Sequence, residues 1–424
     1  MIKQSYCFNS LTREDFLSVI SYLSGEYAGL ENRSVYAKIW YDPETNEIGK
    51  RGKMARVIYM TNIGTIPDES FINVVVAAPT DRKGQKIGMI DEGFLEKLKK
   101  NDVFVLGGSK YQFLYTRGMN IYVNASVQKA PTIPSWSSEM LPLSFDLAMA
   151  IQHFRFLMEE LFKKKKTKTE IKSFILKYLY VDDTGAEAIY SYFNEQFKYA
   201  LIPHDKRILV EHYNDDSEKK YYIFHTLYGR RVNDVLSRAI AYVSSNKRDI
   251  EIGINDNGFF IASQNKLQAE KALKLLAEKP QELRKILEES LESSEIFRRR
   301  FRHCAARSLM ILKNYKGQGK SVGRQQMKSD ILYYSIKKIS DDFPILKETK
   351  REILEDLMDI ESAKRILEEI KKNNIKVDQI STDLPSPFAL TLVMQGSAEL
   401  MRLENKLLFL KRMHEKLLER IKEK

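Results

Sequence analysis

Over residues 10–23, SLTREDFLSVISYL, apolar positions recur every three or four residues, so Phe16, Ile20 and Leu23 form a helical stripe. Ser10 or Thr12 stands where an N-cap belongs, with Asp15 as the acidic partner of a capping box. A polar turn at 46–53 leads into the strand-like ARVIYM at 55–60. Helices followed by a strand pair about a polar turn fit a winged-helix domain over 1–64, with any small α+β fold as the alternative. From 64 to about 128 the period shortens. FINVVVAA (71–78), KIGMI (86–90), DVFVLGG (102–108), YQFLYT (111–116) and NIYVNASV (120–127) are five short strands parted by Gly, Asp and Asn turns. They predict a small β-barrel or strongly bent antiparallel sheet over 65–130, and Pro131 and Pro134 mark its exit.

The next stretch, 131–265, mixes helices with two hairpins. Helices are expected at 147–162, at 169–180 and from the DDTG start signal at 182–185. RILVEHY and YYIFHTL flank an acidic turn at 214–218, and DIEIGI and GFFIA flank Asn255-Asp256-Asn257-Gly258. Between the hairpins GRRVNDVLSRAIAYV is helical and brings Arg230, Arg231 and Arg238 near one another. Residues 266–424 read as a helical, basic region broken only at 316–323, 340–344 and 382–387. The fold class expected is therefore α+β: winged helix, small barrel, mixed hairpin region, then a mainly helical C-terminal region.

Charge sharpens this outline. The chain carries a formal +12, and the surplus is concentrated. Residues 298–328, RRRFRHCAARSLMILKNYKGQGKSVGRQQMK, hold ten Lys or Arg and no Asp or Glu. At the chain's average roughly four acids would fall there. The first half reads as a helix with Phe297, Phe301, Cys304, Ala305, Leu309 and Leu312 on one face, and Arg299, Arg302, His303, Arg307 and Lys313 around the rest. Residues 315–323, with Lys316 and Lys320, read as a mobile basic glycine-rich loop before a helix restarts near Arg324. Such a helix and loop suit a phosphate backbone, because Arg and Lys supply charge and donors and glycine lets backbone N–H groups approach. A merely solvated face is the alternative, and the absence of acids favours nucleic acid. Trp136, in the Pro/Ser segment PTIPSWSSEMLP, is either a base-stacking ring or a plug beneath the barrel.

Other motifs dissolve on inspection. GQGKS at 317–321 lacks the glycine a phosphate-binding loop needs at Asn314, and no strand precedes it. The six histidines and two cysteines, Cys7 and Cys304, have no metal-ligand spacing, and no catalytic constellation appears. Without a run of apolar residues long enough for a span, or a signal-peptide core, a reducing cytoplasmic location is expected. Gln325 and Gln326 beside the basic loop leave open a DNA-repair glycosylase, in which they would be base-pocket amides. A purely structural scaffold, with the charge incidental, is the third reading.

Eight blocks together resemble one family, the large helicase-related (Lhr) branch of superfamily-2 ATP-dependent helicases, in its archaeal form. They are MARVIYMTNIGTIPDE (54–69), NDVFVLGG (101–108), PSWSSEMLPLSFDLA (134–148), FHTLYGRRVNDVLSRAIAY (224–242), EIGINDNGF (251–259), FRHCAARSLMILKNYKG (301–317), KSVGRQQ (320–326) and DLPSPFAL (383–390). The resemblance covers the family's winged helix and C-terminal domain, not its RecA-like ATPase domains. It implies a channel for single-stranded nucleic acid, with Ile66 of GTIPD as an apolar wedge and Trp136 of PSW as a stacking residue. It also implies that ATP and Mg²⁺ bind to a partner chain, with no cofactor on this one, and that the pair acts in DNA repair or recombination. Tyr6, Phe8 and Phe16 are then expected near the seam with that partner. A stand-alone binding module is the remaining option.

Overall fold

The computed structural model describes residues 2–26, 39–52, 55–62, 71–77, 84–91, 101–106, 109–117, 120–125, 141–215, 218–245, 250–292, 294–315, 318–319, 322–397 and 403–423. The chain is α+β and divides into two compact units. One joins Met1–Ile72 to Glu295–Thr349, and the other joins Asn73–Ser294 to Lys350–Lys424.

In the first unit Thr12 is the N-cap of the helix Arg13–Ser24, and its hydroxyl and backbone are exchanged with Asp15 in a full capping box. Of the expected stripe Ile20 is buried, while Phe16 and Leu23 are half-buried. The wing is a hairpin of Ile39–Asp42 and Glu47–Lys50, turning through Asn46 at a φ of 56°. Trp40 lies over Gly49 across the ladder, where a Cβ would come within 2.5 Å of the indole. ARVIYM, expected as a strand, is instead part of a helix, Ala55–Asn62. Its inward positions, Ala55, Ile58, Tyr59 and Asn62, follow the helical period. A short β-branched run does not by itself distinguish the two, and tertiary packing decides. Tyr22 packs edge-on against Phe343 within this unit, with centroids 6.0 Å apart.

The second unit holds both large sheets. All five expected short strands form one sheet, in the order Lys86–Asp91, Phe71–Val76, Asn120–Asn124, Ser109–Arg117, Val103–Leu106. It curls until its edges approach: the Leu106 side chain lies 2.9 Å from where a Cβ on Gly88 would stand. A bulge between Phe113 and Tyr115 sharpens the bend. One correction is that Phe71–Val76 pairs with Asn120–Asn124 in parallel, so the sheet is mixed.

The two hairpins combine into a second five-stranded sheet, Glu251–Asn255, Gly258–Ser263, Lys220–His225, Arg207–Asn214 and Lys376–Thr382. The last strand falls in the region expected to be helical. KVDQIST adds in parallel to Arg207–Asn214, with Ile380 opposite Glu211. Asn373, at a φ of 60°, ends the preceding helix and frees the chain to extend. Beside this sheet the helices Phe145–Lys163, Lys168–Tyr178 and Asp183–Tyr199 enclose Phe154, Met158, Phe162, Ile175, Phe193 and Phe388.

Glu211 is the buried pin of the second sheet. It accepts from Ser386 N–H (2.7 Å), Ser386 Oγ (2.6 Å) and Thr382 Oγ1 (2.9 Å), and its other partner is His225 Nε2 at 2.8 Å. Burial pushes its carboxyl up, but His225, by hydrogen bond and charge, and Ser386 more than offset this, so the group sits below its ordinary 4.5. A lowered folded value means stability held above about 4.5 and lost as pH falls through the folded value. Glu211→Gln, which cannot accept all four donors, should cost about 1–3 kcal/mol at neutral pH and flatten the loss of melting temperature below about pH 4.5. Calorimetric unfolding of both proteins across that range checks it.

Candidate nucleic-acid interface

The acid-free segment folds in the first unit. Its helix is Glu295–Arg307, and Phe297, Phe301, Cys304 and Ala305 are buried at spacings of three and four, as the pattern predicts. Tyr333 of the helix Val322–Lys337 meets both phenylalanine rings edge-on, with centroids 5.7 and 5.5 Å away. The expected stripe breaks after Arg307. Leu309 takes a φ of 57°, its N–H donates to Ala306 O at 3.1 Å, and Met310 N–H donates to Ala305 O at 2.9 Å. This is a Schellman ending, with leucine in the place glycine usually fills. The chain reverses there, so Ile311 is buried, while Leu309 and Leu312 are only half-buried.

The cations of the segment occupy different depths. Arg302 is only 2% exposed, and its guanidinium donates to Gln326 Oε1 at 2.9 Å. Gln326 in turn donates to Asp330 at 2.9 Å. Arg302 thus ties the two helices together, and its charge acts from inside. Arg299, Arg307 and Lys313 are half-buried, Arg307 lying 3.2 Å from Cys304 Sγ, and Arg324 is exposed. Lys316 and Lys320 lie outside the described residues, as do Ile66 and Trp136. Gln325 is buried and both ends of the Gln326 amide are engaged, so these two side chains serve the packing of the helices.

Within 315–323, expected as a loop, the described part forms a short ladder, Asn314 opposite Gly319 and Tyr315 opposite Gln318. Asn62 holds its base. The Asn62 amide donates to Asn314 O at 3.0 Å and accepts from Asn314 N–H at 2.9 Å, and Asn314 Nδ2 reaches Thr61 O at 2.8 Å. Nothing in the sequence pairs residues this far apart. The one local signal was an asparagine closing a largely apolar helix.

In the second unit Arg230 opens the helix Arg230–Ser245, with its side chain exposed and its N–H held by Asp256 Oδ1 at 2.8 Å. Arg231 points elsewhere. It donates to the carbonyls of Glu355 (2.8 Å) and Met358 (2.9 Å), bracing the π-helical turn Glu352–Leu357. Arg238 pairs with Asp234. The three arginines therefore do not act as one cluster.

The electrostatic consequence of the basic segment is recorded in His303. Burial first, then the charges of Arg302, Arg300, Arg299 and Lys313, push its pKa down to about 3. The unfolded imidazole protonates near 6.5, so the stability this neutral residue lends is intact above about 6.5 and lost as pH falls toward 3. His303→Gln should reduce the acid sensitivity of melting in that window. In the wild-type chain, NMR titration should find the His303 ring neutral at pH 5, and a polyanion should raise its pKa.

The winged-helix domain of the large helicase-related protein matches residues 1–133, and the DEAD/H-associated family matches 202–389. Over all of this chain, the ATP-dependent helicase Lhr-Core of Methanothermobacter thermautotrophicus is 49% identical and the Lhr-Core protein 2 of Thermococcus barophilus 43%. The chain spans about half, 48%, of the length of each. A structure of Mycobacterium smegmatis helicase Lhr bound to ssDNA and AMP-PNP shares the fold, with a TM-score of 0.61 at 21% identity over 91% of this chain and 43% of that one. No helix among the described residues is long and apolar enough to cross a membrane. With both family models in order along the chain and such identity over its whole length, the chain belongs to the large helicase-related family, of which it carries the winged-helix and DEAD/H-associated part.

Proposed function

We propose that this chain is the strand-gripping part of an Lhr-type ATP-dependent helicase. It holds single-stranded nucleic acid, DNA in the first instance, while RecA-like ATPase domains bind ATP and Mg²⁺ and drive movement. Those domains are either a second chain or a continuation of the same polypeptide. The observation that carries the reading is the acid-free segment 298–328, whose described part forms two packed helices with cations at several depths. Relatives named as ATP-dependent helicases, and a similar fold bound to ssDNA, support it. GQGKS does not fit the nucleotide, since a phosphate-binding loop requires glycine at Asn314.

In this reading Arg299, Arg307, Lys313, Lys316, Lys320 and Arg324 contact phosphates. Ile66 wedges against bases and Trp136 stacks on one, so that the strand is held as the ATPase domains open and close. Tyr6, 94% exposed, and Phe8 offer apolar surface to those domains. A role in DNA repair or recombination follows from the family reading.

Binding of an oligothymidine strand should weaken steeply with salt, each phosphate contact adding about −0.7 to the log–log slope. A flat plot between low and physiological salt would sink the proposal. Trp136→Ala should weaken binding by about 1–3 kcal/mol with no change in melting temperature. If the melting temperature falls and affinity per folded molecule holds, Trp136 is a core plug. The 424-residue chain should hydrolyse no ATP alone, and adding an Lhr-type ATPase module should produce ATP-driven unwinding that neither part shows by itself.

A further inference from the structure

The helix Val322–Lys337 has two faces, and the outer one is of the wrong chemistry for a surface that meets only water. Its inner face is complete: Gln325, Ser329, Leu332 and Ile336 are all buried. Opposite them Met327 is 58% exposed, Ile331 61% and Tyr334 60%. These three residues recur at spacings of four and three, in one line along the helix, and are not surplus from a core stripe. Arg324 and Lys328 are exposed on the same face, and among the described residues neither has an ion-pair partner. Asp330, the one acid within this helix, is half-buried and bonded to Gln326.

We infer that this face is a base-contacting rail for single-stranded nucleic acid, in which Met327, Ile331 and Tyr334 pack against bases and Arg324 and Lys328 take the adjoining phosphates. The inference rests on the proposed function and assigns it a surface. Charge complementarity selects the occupant. The rail continues from the basic helix Glu295–Arg307, to which its own helix is bound through Tyr333 and Gln326. Spacing agrees. At 1.5 Å per residue the apolar side chains stand about 6 and 4.5 Å apart along the axis. Stacked bases lie about 3.4 Å apart. A strand on the rail is therefore splayed, one base to each side chain. A membrane surface fits poorly, because an interfacial helix sinks a continuous apolar face and keeps its cations on the other. Here cations and apolar residues share one face, and the opposite face is already buried.

The test uses the full chain with three probes: an oligothymidine of about 20 nucleotides, an abasic strand of equal length, and phosphatidylcholine–phosphatidylserine vesicles. Tyr334→Ala, and separately Met327→Ser with Ile331→Ser, should weaken oligothymidine binding about tenfold and abasic binding less than twofold. Lys328→Gln should weaken both strands alike and lower the salt slope by about 0.7. Ultraviolet cross-linking of the wild-type chain to oligothymidine should capture the peptide bearing Tyr334, a readout independent of any variant's stability. If wild type binds oligothymidine but the rail variants bind it equally, or no rail peptide is captured, the rail is wrong and the phosphate grip stands. Vesicle binding lost in the rail variants, with strand binding unchanged, also overturns it. If wild type binds no strand at all, the proposed function fails first.

Discussion

Residues 298–328 crowd ten cations together with no carboxylate of their own, and the described part of the segment is clamped from behind. Two unit charges about 7 Å apart repel by about 2 kcal/mol at an effective dielectric near 20. Against this stand the Phe297 and Phe301 rings on Tyr333, each such contact contributing about 0.5–1.5 kcal/mol beyond its buried area. The Arg302–Gln326–Asp330 chain and the Asn62–Asn314 pair complete the clamp. The field left over is a property of the folded state. With burial as the larger cause, those cations hold the His303 pKa down, and outside the fold the same charges would favour a polyanion.

The second unit treats charge in the opposite way. Two of its buried acids, Glu159 and Glu211, are held mostly by partners drawn from far along the chain. Glu159 is surrounded by His204, Lys163 and Arg207, which overcome its burial and hold it near 2. Glu211 does the same for DLPSPFAL. Ser386 of that block bonds to Glu211, the Leu384 backbone bonds to Tyr199, and Phe388 packs on Tyr192 and Phe193 under the guanidinium of Arg155. The block is a strap across the sheet and helices. A stretch can therefore carry a family likeness for internal reasons, with no ligand of its own.

Local signals explain what was legible in the sequence. Thr12 with Asp15, Asp182 before Gly185, and the turn at 255–258 each act within a few residues, and each formed as read. The buried face of the basic helix was legible as far as Arg307 because period alone sets it. What was missed depends on distant partners. ARVIYM became a helix because its inward side chains found a core, and KVDQIST became a strand because an open sheet edge at Arg207–Asn214 was waiting for it. The left-handed Leu309 hid the end of the basic helix, since leucine does not announce a reversal as glycine would. For the interface, charge count located the segment, but only packing could separate the inward Arg302 from the outward Arg324.

On the proposed function, that separation bears on how a strand can be held without being read. Among the described side chains that can bond a base edge, the amides of Asn314 and Gln326 are engaged with Thr61 and with Arg302 and Asp330, and Gln325 is buried. Among the described residues of 298–337, those fully exposed are Arg298, Arg324, Met327, Lys328, Ile331 and Tyr334, which are cationic, aliphatic or aromatic. Phosphates are alike at every step of a strand, and every base offers a π-face, so such a surface binds each register almost equally. Moving by one nucleotide then replaces each contact with its equivalent, and the energy barrier between registers stays low. Amides turned outward would deepen some registers over others and stall the strand there. On the proposed reading, the amides turned inward serve the grip by leaving the outer surface indifferent to sequence.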